Sequence, residues 1–383
     1  MKEIAIAVIA FQIIISIGCI KDEENSNDGS VEKDANGTDG GADAADMDGN
    51  ILDASSDAAK DGGDDSGGCK WRREFETIGY GFVGIWGLGL TDIYAAGNSQ
   101  QGTGVVSHYN GEEWLEMQIV DSPPLTGIWG ANGSSLYAVG FEGTILHYDG
   151  SQWVMSYQTD SEADLSDIWG SGESDIYAVD RSMRDSMTWT KGGDILHYNG
   201  NEWQVVLAHE HTSTNLWGVW GSSENDVYVV GENGTVSPAN NKHYNGTDWK
   251  DGPSSSPCFD VWGSSSDDMY FICTTEASKF DIFHYDGSVM SAMNTGFDGT
   301  LQKLGGTSSD DLYAIAFVFD ESGGSSTLIG TNVYHYDGNV WSSTEKNDSW
   351  FIVNLWAGMK NEAYAVGYDN DTSAGLILKY SCK

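Results

Sequence analysis

The strongest indication of the fold is the sequence LTGIWG (125–130), SLYAVG (135–140) and TILHYDG (144–150), followed by Trp153. Each piece is a short run of β-branched, aromatic and other apolar residues, and Gly, Asn, Ser and Asp separate the runs. Runs of this kind favour strands, and the Asp-Gly pair between them is a hairpin signal. The unit therefore predicts four short antiparallel strands.

The same unit recurs through the rest of the chain. Its Trp-Gly element is found at Trp86, Trp129, Trp169, Trp220, Trp262 and Trp356, with Gly305 in a degenerate copy. Its tyrosine recurs at Tyr94, Tyr137, Tyr177, Tyr228, Tyr270, Tyr313 and Tyr364, and its histidine at His108, His147, His197, His243, His284 and His335. Four strands in a unit of about 45 residues are typical of a propeller blade. We therefore expect an all-β protein whose residues 69–383 form a single β-propeller of seven four-stranded blades.

The pattern of Tyr-x-x-Gly, then Tyr-Asp, then Trp resembles the repeat of kelch and galactose-oxidase propellers. It is also similar to the Asp-box propellers of sialidases and photosystem assembly factors. It departs from both, because kelch blades carry two adjacent glycines where this chain has one, and the Asp-Gly-x-x-Trp turn is one residue shorter than an Asp box. The resemblance implies an architecture and no particular activity, since propellers host many functions.

The two ends of the propeller predict how the ring closes. The last unit ends at Leu378–Cys382 without a fourth strand, and Cys69-Lys-Trp71 supplies a strand with the missing tryptophan. We expect this N-terminal strand to complete the last blade and Cys69 to be bonded to Cys382. If Trp262 pairs with Met269, Cys258 faces Cys273 across a hairpin. The alternatives for that pair are a cross-strand disulfide, which we predict, and two buried thiols.

The first 68 residues have a different character. Residues 1–18 resemble a lipoprotein signal peptide, with Lys2, an apolar run from Ile4 to Ile17 and Gly18 before Cys19. The resemblance implies lipidation of Cys19, export and an anchor in the bacterial outer membrane, with surface exposure left open. An ordinary signal peptide or an uncleaved anchor is the alternative.

Residues 19–68 are rich in Asp, Gly, Ala and Ser and contain no aromatic residue. Such a segment cannot bury enough apolar area to fold, so we expect a disordered acidic tether. Within it, Asp46 to Asn50 faintly resembles a calcium loop, but Ala44 and Ser55 occupy the first and twelfth ligand positions. We expect no cofactor and no metal, with calcium as the one candidate.

The formal net charge of −40 argues against a nucleic-acid partner, which requires a basic face. It also argues against electrostatic docking on anionic lipid, so the membrane contact expected is the lipid anchor alone. Export would place the cysteines in an oxidising compartment, where disulfides persist. We expect a monomer.

Function should lie in what does not repeat. Insertions fall in the loops between the second and third strands and between blades, which emerge on one face of a propeller. The candidate ligand-face residues there are Arg181, Arg184, Trp189, His209, His211, Phe317, Phe319 and Trp350. The residues two positions before Trp169, Trp262, Gly305 and Trp356 are Asp167, Asp260, Lys303 and Asn354. We expect these four residues to line the channel mouth or merely to solvate the axis.

The repeated histidines, by contrast, should hydrogen-bond a neighbouring turn in each blade, and the repeated aspartates such as Asp92 and Asp175 should cap turns. No catalytic residue can be assigned, because no nucleophile elbow or metal-protease motif is present and the acidic residues are too many to single out.

The leading hypothesis is a non-catalytic binding or assembly module for a protein or a glycan. The alternatives are a surface carbohydrate-active enzyme that uses carboxylates of the loop-rich face, and a structural envelope protein without a discrete ligand.

Overall fold

The computed structural model describes residues 68–159, 163–182, 192–208, 214–233, 239–275, 279–320, 322 and 326–382. The described chain is all-β, with 28 strands and one 3-10 turn at Phe141–Gly143. The predicted signal peptide, the lipidation site Cys19 and the predicted tether up to residue 67 lie outside the described residues. Within the described part, no helix is long and apolar enough to cross a membrane.

Five antiparallel sheets have four strands each. One contains β2 (Tyr80–Gly89), β3 (Asp92–Ser99), β4 (Gly104–Tyr109) and β5 (Trp114–Met117). The next contains β6 (Leu125–Asn132), β7 (Ser135–Gly140), β8 (Thr144–Tyr148) and β9 (Trp153–Gln158). A third contains β18 (Cys258–Ser265), β19 (Asp268–Thr274), β20 (Phe280–Tyr285) and β21 (Met290–Ala292). A fourth contains β22 (Thr300–Ser308), β23 (Asp311–Asp320), β24 (Thr327–Tyr336) and β25 (Trp341–Asn347). The fifth is β26 (Trp350–Met359), β27 (Glu362–Asp369), β28 (Ala374–Ser381) and β1 (Lys70–Ile78).

The remaining eight strands form one continuous sheet. They are β10 (Asp164–Gly172), β11 (Asp175–Arg181), β12 (Ile195–Tyr198), β13 (Trp203–Leu207), β14 (Thr214–Ser223), β15 (Asp226–Asn233), β16 (Lys242–Tyr244) and β17 (Trp249–Asp251). The prediction of seven four-stranded blades is therefore wrong, because the structure has five four-stranded sheets. Two successive repeats merge where Arg181 of β11 pairs with Asn215 of β14, and the backbone N–H of Ser182 donates to the carbonyl of Thr214 over 3.1 Å.

The innermost strands of the repeats contact one another in sequence and close a ring. Going round, these are β2, β6, β10, β14, β18, β22 and β26, and β26 packs again on β2. The N-terminal strand β1 pairs antiparallel with β28, from Lys70 opposite Ser381 to Ile78 opposite Ala374. The predicted disulfide Cys69–Cys382 is present next to this ladder. The first and last strands of the described chain thus belong to one sheet, as the sequence predicts.

The second predicted disulfide, Cys258–Cys273, is also present. The register from which it was predicted is wrong, since Trp262 pairs with Tyr270 and Met269 lies opposite Gly263. A bulge between Cys258 and Asp260 inserts one residue into β18, which brings the two cysteines opposite each other again.

The Trp-Gly element joins neighbouring repeats. The indole of Trp129 covers Gly170, that of Trp169 covers Gly221, and that of Trp220 covers Gly263. At the junction of last and first repeats, Trp356 covers Gly87 in the same way. A β-carbon at Gly170 would lie 2.7 Å from the Trp129 ring, so a larger residue cannot stand there without moving the indole. The predicted role of these tryptophans in packing between repeats is confirmed.

The repeated histidines serve the turns, as predicted. In the first repeat the His108 ring stacks on Tyr94 with 4.3 Å between centroids, and its Nε2 lies 2.7 Å from Asp92 Oδ1. Four further pairs repeat this bond: His197–Asp175, His243–Asp226, His284–Asp268 and His335–Asp311. The sixth histidine, His147, stacks on Tyr137 but has Ser135 at the aspartate position. These groups lie at the turn end of the strands, which is the face opposite the loop-rich one.

Replacing Gly170 by alanine should destabilise the protein by about 1–3 kcal/mol, because the added methyl group overpacks the contact with Trp129. The matched control is Gly172→Ala in the same strand, where a β-carbon meets no atom within 4 Å. Urea unfolding followed by tryptophan fluorescence measures both. Equal midpoints for the two variants would contradict the packing role of the glycine.

Candidate functional site

Every inner strand has a β-bulge at the same repeat position, near the N-terminal end of the strand. The register shifts between Phe82 and Gly84 in β2, and at the equivalent place in the other six inner strands. The extra residue in each bulge lies three positions before the repeated tryptophan or its replacement. These seven residues are Val83, Thr126, Ser166, Trp217, Phe259, Gln302 and Val353.

The seven bulge residues line one cavity at the axis of the ring, together with Asp167, Lys303, Phe317 and Asn354. Its volume is about 70 Å³, comparable to one amino-acid side chain. Because the bulges lie near the start of the inner strands, the cavity is at the loop-rich face. We call it the axial cavity.

An aromatic wall forms one side of the axial cavity. Trp217 and Phe259, from the neighbouring strands β14 and β18, stack with centroids 6.1 Å apart and their planes 27° from parallel. Phe280 meets Phe259 edge-on at 5.0 Å. The guanidinium carbon of Arg181 lies 5.7 Å from the centroid of the Trp217 ring, at cation–π distance. Trp217 and Phe259 are both partly exposed.

A lysine and two aspartates form the floor. Lys303 Nζ lies 2.8 Å from Asp260 Oδ1 and 4.0 Å from Asp167 Oδ2. The backbone N–H of Leu304 donates to Asp260 over 2.6 Å, and that of Val219 donates to Asp167 over 3.1 Å. Each carboxylate therefore ties its own inner strand to the next one round the ring.

Burial shifts the ionisation of these groups. It raises the pKa of both Asp260 and Asp167, and the nearby Lys303 ammonium opposes the rise. Burial alone would lower the pKa of Lys303, but the two carboxylates raise it above its ordinary value. Lys303 is thus charged at neutral pH and holds the two carboxylates together.

The predicted channel residues thus lie at the axis. Asp167, Lys303 and Asn354 face the axial cavity, while Asp260 lies beneath it and is 2% exposed. Asn354 also ties two strands, since its Nδ2 donates to the carbonyl of Val83 over 3.0 Å.

The predicted ligand-face residues are placed differently from one another. Arg181 is buried in β11, 3.6 Å from Asp164, and is no exposed loop residue. Phe317 is 1% exposed, because it lies in β23 opposite Thr331 of β24, and the two strands continue as far as Phe319 opposite Leu328 at the place where we expected an insertion loop. Phe319 and Trp350 are partly buried against one core cluster. Arg184, Trp189, His209 and His211 lie outside the described residues.

Residue pattern alone does not reveal the bulge residues. Trp217 and Phe259 stand in apolar runs where they are indistinguishable from core positions. The signal that would have found them is their variation within a strict repeat, since one position carries Val, Thr, Ser, Trp, Phe and Gln in turn. Among the described residues, no group of three or more His, Cys, Asp or Glu side chains is arranged to hold a metal ion.

Replacing Lys303 by methionine should destabilise the protein by about 3 kcal/mol at pH 7, because two partly desolvated carboxylates lose their counter-charge. This loss of stability should shrink as the pH falls from 7 to 5. Asp260 and Asp167 have raised pKa values in the folded protein, so in this pH range the folded variant binds protons that the unfolded chain does not. Urea midpoints at the two pH values measure this. Lys242→Met, which breaks an exposed pair with Asp251, is the control and should cost less than about 1 kcal/mol. If Lys303→Met lowered the free energy of unfolding equally at both pH values, Lys303 would not be the counter-charge of Asp260 and Asp167.

Comparison with known proteins gives a fold and one short sequence match. No family model matches the chain. An 85-residue stretch, 22% of the chain, is 34% identical to the immune protein Tsi7 of Pseudomonas aeruginosa and spans 26% of that protein. Among solved structures, YCF48 from Cyanidioschyzon merolae covers 82% of this chain with a TM-score of 0.58 and 10% identity, over 99% of its own length. YCF48 bound to a D1 peptide gives 0.56 with 13% identity, covering 82% and 97% of the two chains. The WD40 propeller domain of Doa1 gives 0.56 with 10% identity, covering 82% and 98%. The chain is therefore a β-propeller with WD40-like structural neighbours, and neither a kelch nor an Asp-box subtype is shown.

Proposed function

We propose that this propeller is a non-catalytic binding module that holds a protein ligand at its loop-rich face, with the axial cavity at the centre of contact. The observation that carries the proposal is the contrast between the two faces. On the turn face the same Tyr, His and Asp recur in successive repeats, whereas six residue types occupy the seven bulge positions round the axial cavity.

The chemistry of the axial cavity supports binding. Its wall offers the partly exposed rings of Trp217 and Phe259, and aromatic residues in a partly desolvated pocket are the usual anchors of protein interfaces. The peptide-bound state of YCF48, a propeller of similar fold, supports a polypeptide over a glycan as the ligand.

A carbohydrate-active enzyme is supported less well. A glycosidase needs two carboxyl groups that face the substrate and act independently as acid and base or nucleophile. The two carboxyl groups at the axial cavity share one ammonium group and accept backbone hydrogen bonds. They act as ties between strands.

A photo-crosslinking amino acid at Phe259 should give a specific protein adduct in intact cells, because this ring lines the axial cavity. Trp217→Ala should reduce the adduct at least tenfold, since hot-spot truncations cost about 2 kcal/mol or more. The control places the crosslinker at Val205, which is 45% exposed on the outer strand β13. Mass spectrometry of the adduct identifies the ligand. No adduct at Phe259, equal adducts at both positions, or turnover of a glycan in a parallel array would overturn the proposal.

We further propose that the protein is exported and anchored through acylated Cys19 in the outer membrane. The apolar run from Ile4 to Ile17 and Gly18 before the cysteine support it. So do the two disulfides of the propeller, because disulfides persist in oxidising compartments.

Cells fed radiolabelled palmitate should label the wild-type protein, and Cys19→Ser should abolish the label and release the protein from the membrane fraction. The propeller cysteines serve as the control, because Cys258→Ser should retain the label. Label that persists in Cys19→Ser would contradict lipidation at this residue.

A further inference from the structure

We propose that the axial cavity receives a basic side chain, lysine or arginine, from the ligand protein, with its stem against Trp217 and Phe259 and its charged end at Asp167. This inference rests on the proposed function and names the chemistry of its central contact.

The charges of the floor are unbalanced. Asp167, Asp260 and Lys303 sum to one net negative charge when both carboxyl groups are ionised. Lys303 is hydrogen-bonded to the buried Asp260 at 2.8 Å, but its 4.0 Å separation from Asp167 is too long for a hydrogen bond. Asp167 has a side chain 23% exposed and lines the cavity, whereas that of Asp260 is 3% exposed. Asp167 accepts hydrogen bonds from the backbone N–H groups of Ile168 and Val219, but no ammonium or guanidinium group of the described residues lies within hydrogen-bond distance of it. Its negative charge is therefore only partly neutralised, and a second cation would neutralise the rest.

The wall suits the same ligand. A lysine or arginine side chain has an apolar stem and a charged end, so it packs along aromatic rings while its charge reaches a polar site. A contact of this kind already exists at the wall, since the Arg181 guanidinium lies over the Trp217 ring. The neighbouring Phe259 presents a further ring to the cavity.

Size and overall charge agree with this assignment. A volume of about 70 Å³ is well below the range of pockets for drug-sized ligands, so it fits one side chain of a larger partner. The net charge of −40 steers basic partners toward the protein and repels acidic ones. An acidic side chain would have to compete with Asp260 for Lys303.

The test uses the full chain and synthetic peptides of the form acetyl-Gly-Gly-Xaa-Gly-Gly-amide, where Xaa is lysine, arginine, norleucine or glutamate. Binding is followed by the NMR signal of the Trp217 indole, assigned with Trp217→Phe. Lysine and arginine peptides should bind at least tenfold more tightly than norleucine, and added salt should weaken them. Asp167→Asn should remove most of this preference, and Asp251→Asn, at an exposed aspartate on an outer strand, should leave it unchanged.

A second variant keeps the test valid if Asp167→Asn fails to fold. Gln302→Glu adds a carboxylate to the cavity wall and should tighten lysine-peptide binding several-fold. Norleucine or glutamate peptides that bind as tightly as lysine, or a Gln302→Glu variant without gain, would overturn the inference. If the ligand identified by crosslinking still binds after its basic residues are replaced, the basic-anchor inference fails and the binding function stands. If no crosslinked ligand is found, the function itself fails.

Discussion

The structure depends on the contact between an indole and the glycine of the next repeat. A four-stranded antiparallel sheet buries one face only if another sheet covers it, so each repeat needs two neighbours. The indoles of Trp129, Trp169 and Trp220 reach the next inner strand, and the glycine there lets the ring lie directly on the backbone. Trp356 on Gly87 repeats the contact between the last and first repeats, which makes the ring continuous.

Closure of the ring determines which residues can vary without loss of the fold, and so which face can bind a ligand. The turn face is occupied by stacked Tyr–His pairs bonded to aspartates, and this chemistry repeats because it holds the hairpin turns. The other end of each inner strand has a bulge, which turns one side chain toward the axis without disturbing the packed indole. Residues at the bulges can therefore vary while the fold remains, and Trp217, Phe259 and Gln302 illustrate that freedom.

The floor of the axial cavity combines stability with recognition. Asp260 and Asp167 bind backbone N–H groups on the following strands, so they hold the ring together at its narrowest part. The ammonium group of Lys303 lies closer to Asp260 than to Asp167, so it neutralises the charge of Asp260 more fully. The charge left over at Asp167 is a consequence of that geometry, and the preference for cations that we propose rests on it.

The amino-acid sequence was sufficient to predict the all-β class, the repeat, the pairing of the N-terminal strand with the last repeat and the disulfide Cys69–Cys382. It also predicted Cys258–Cys273, but from a register that the structure shows to be wrong. It could do so because hairpin turns, strand alternation and Trp-Gly packing are local or recur at a fixed spacing. That β11 and β14 join two repeats into one sheet could be learned only from the folded chain, since it depends on the pairing of Arg181 with Asn215. The same holds for the bulges: they shifted the register around Cys258, and they directed Trp217 and Phe259 into the axial cavity. A bulge changes which face a side chain occupies, and residue pattern assumes strict alternation.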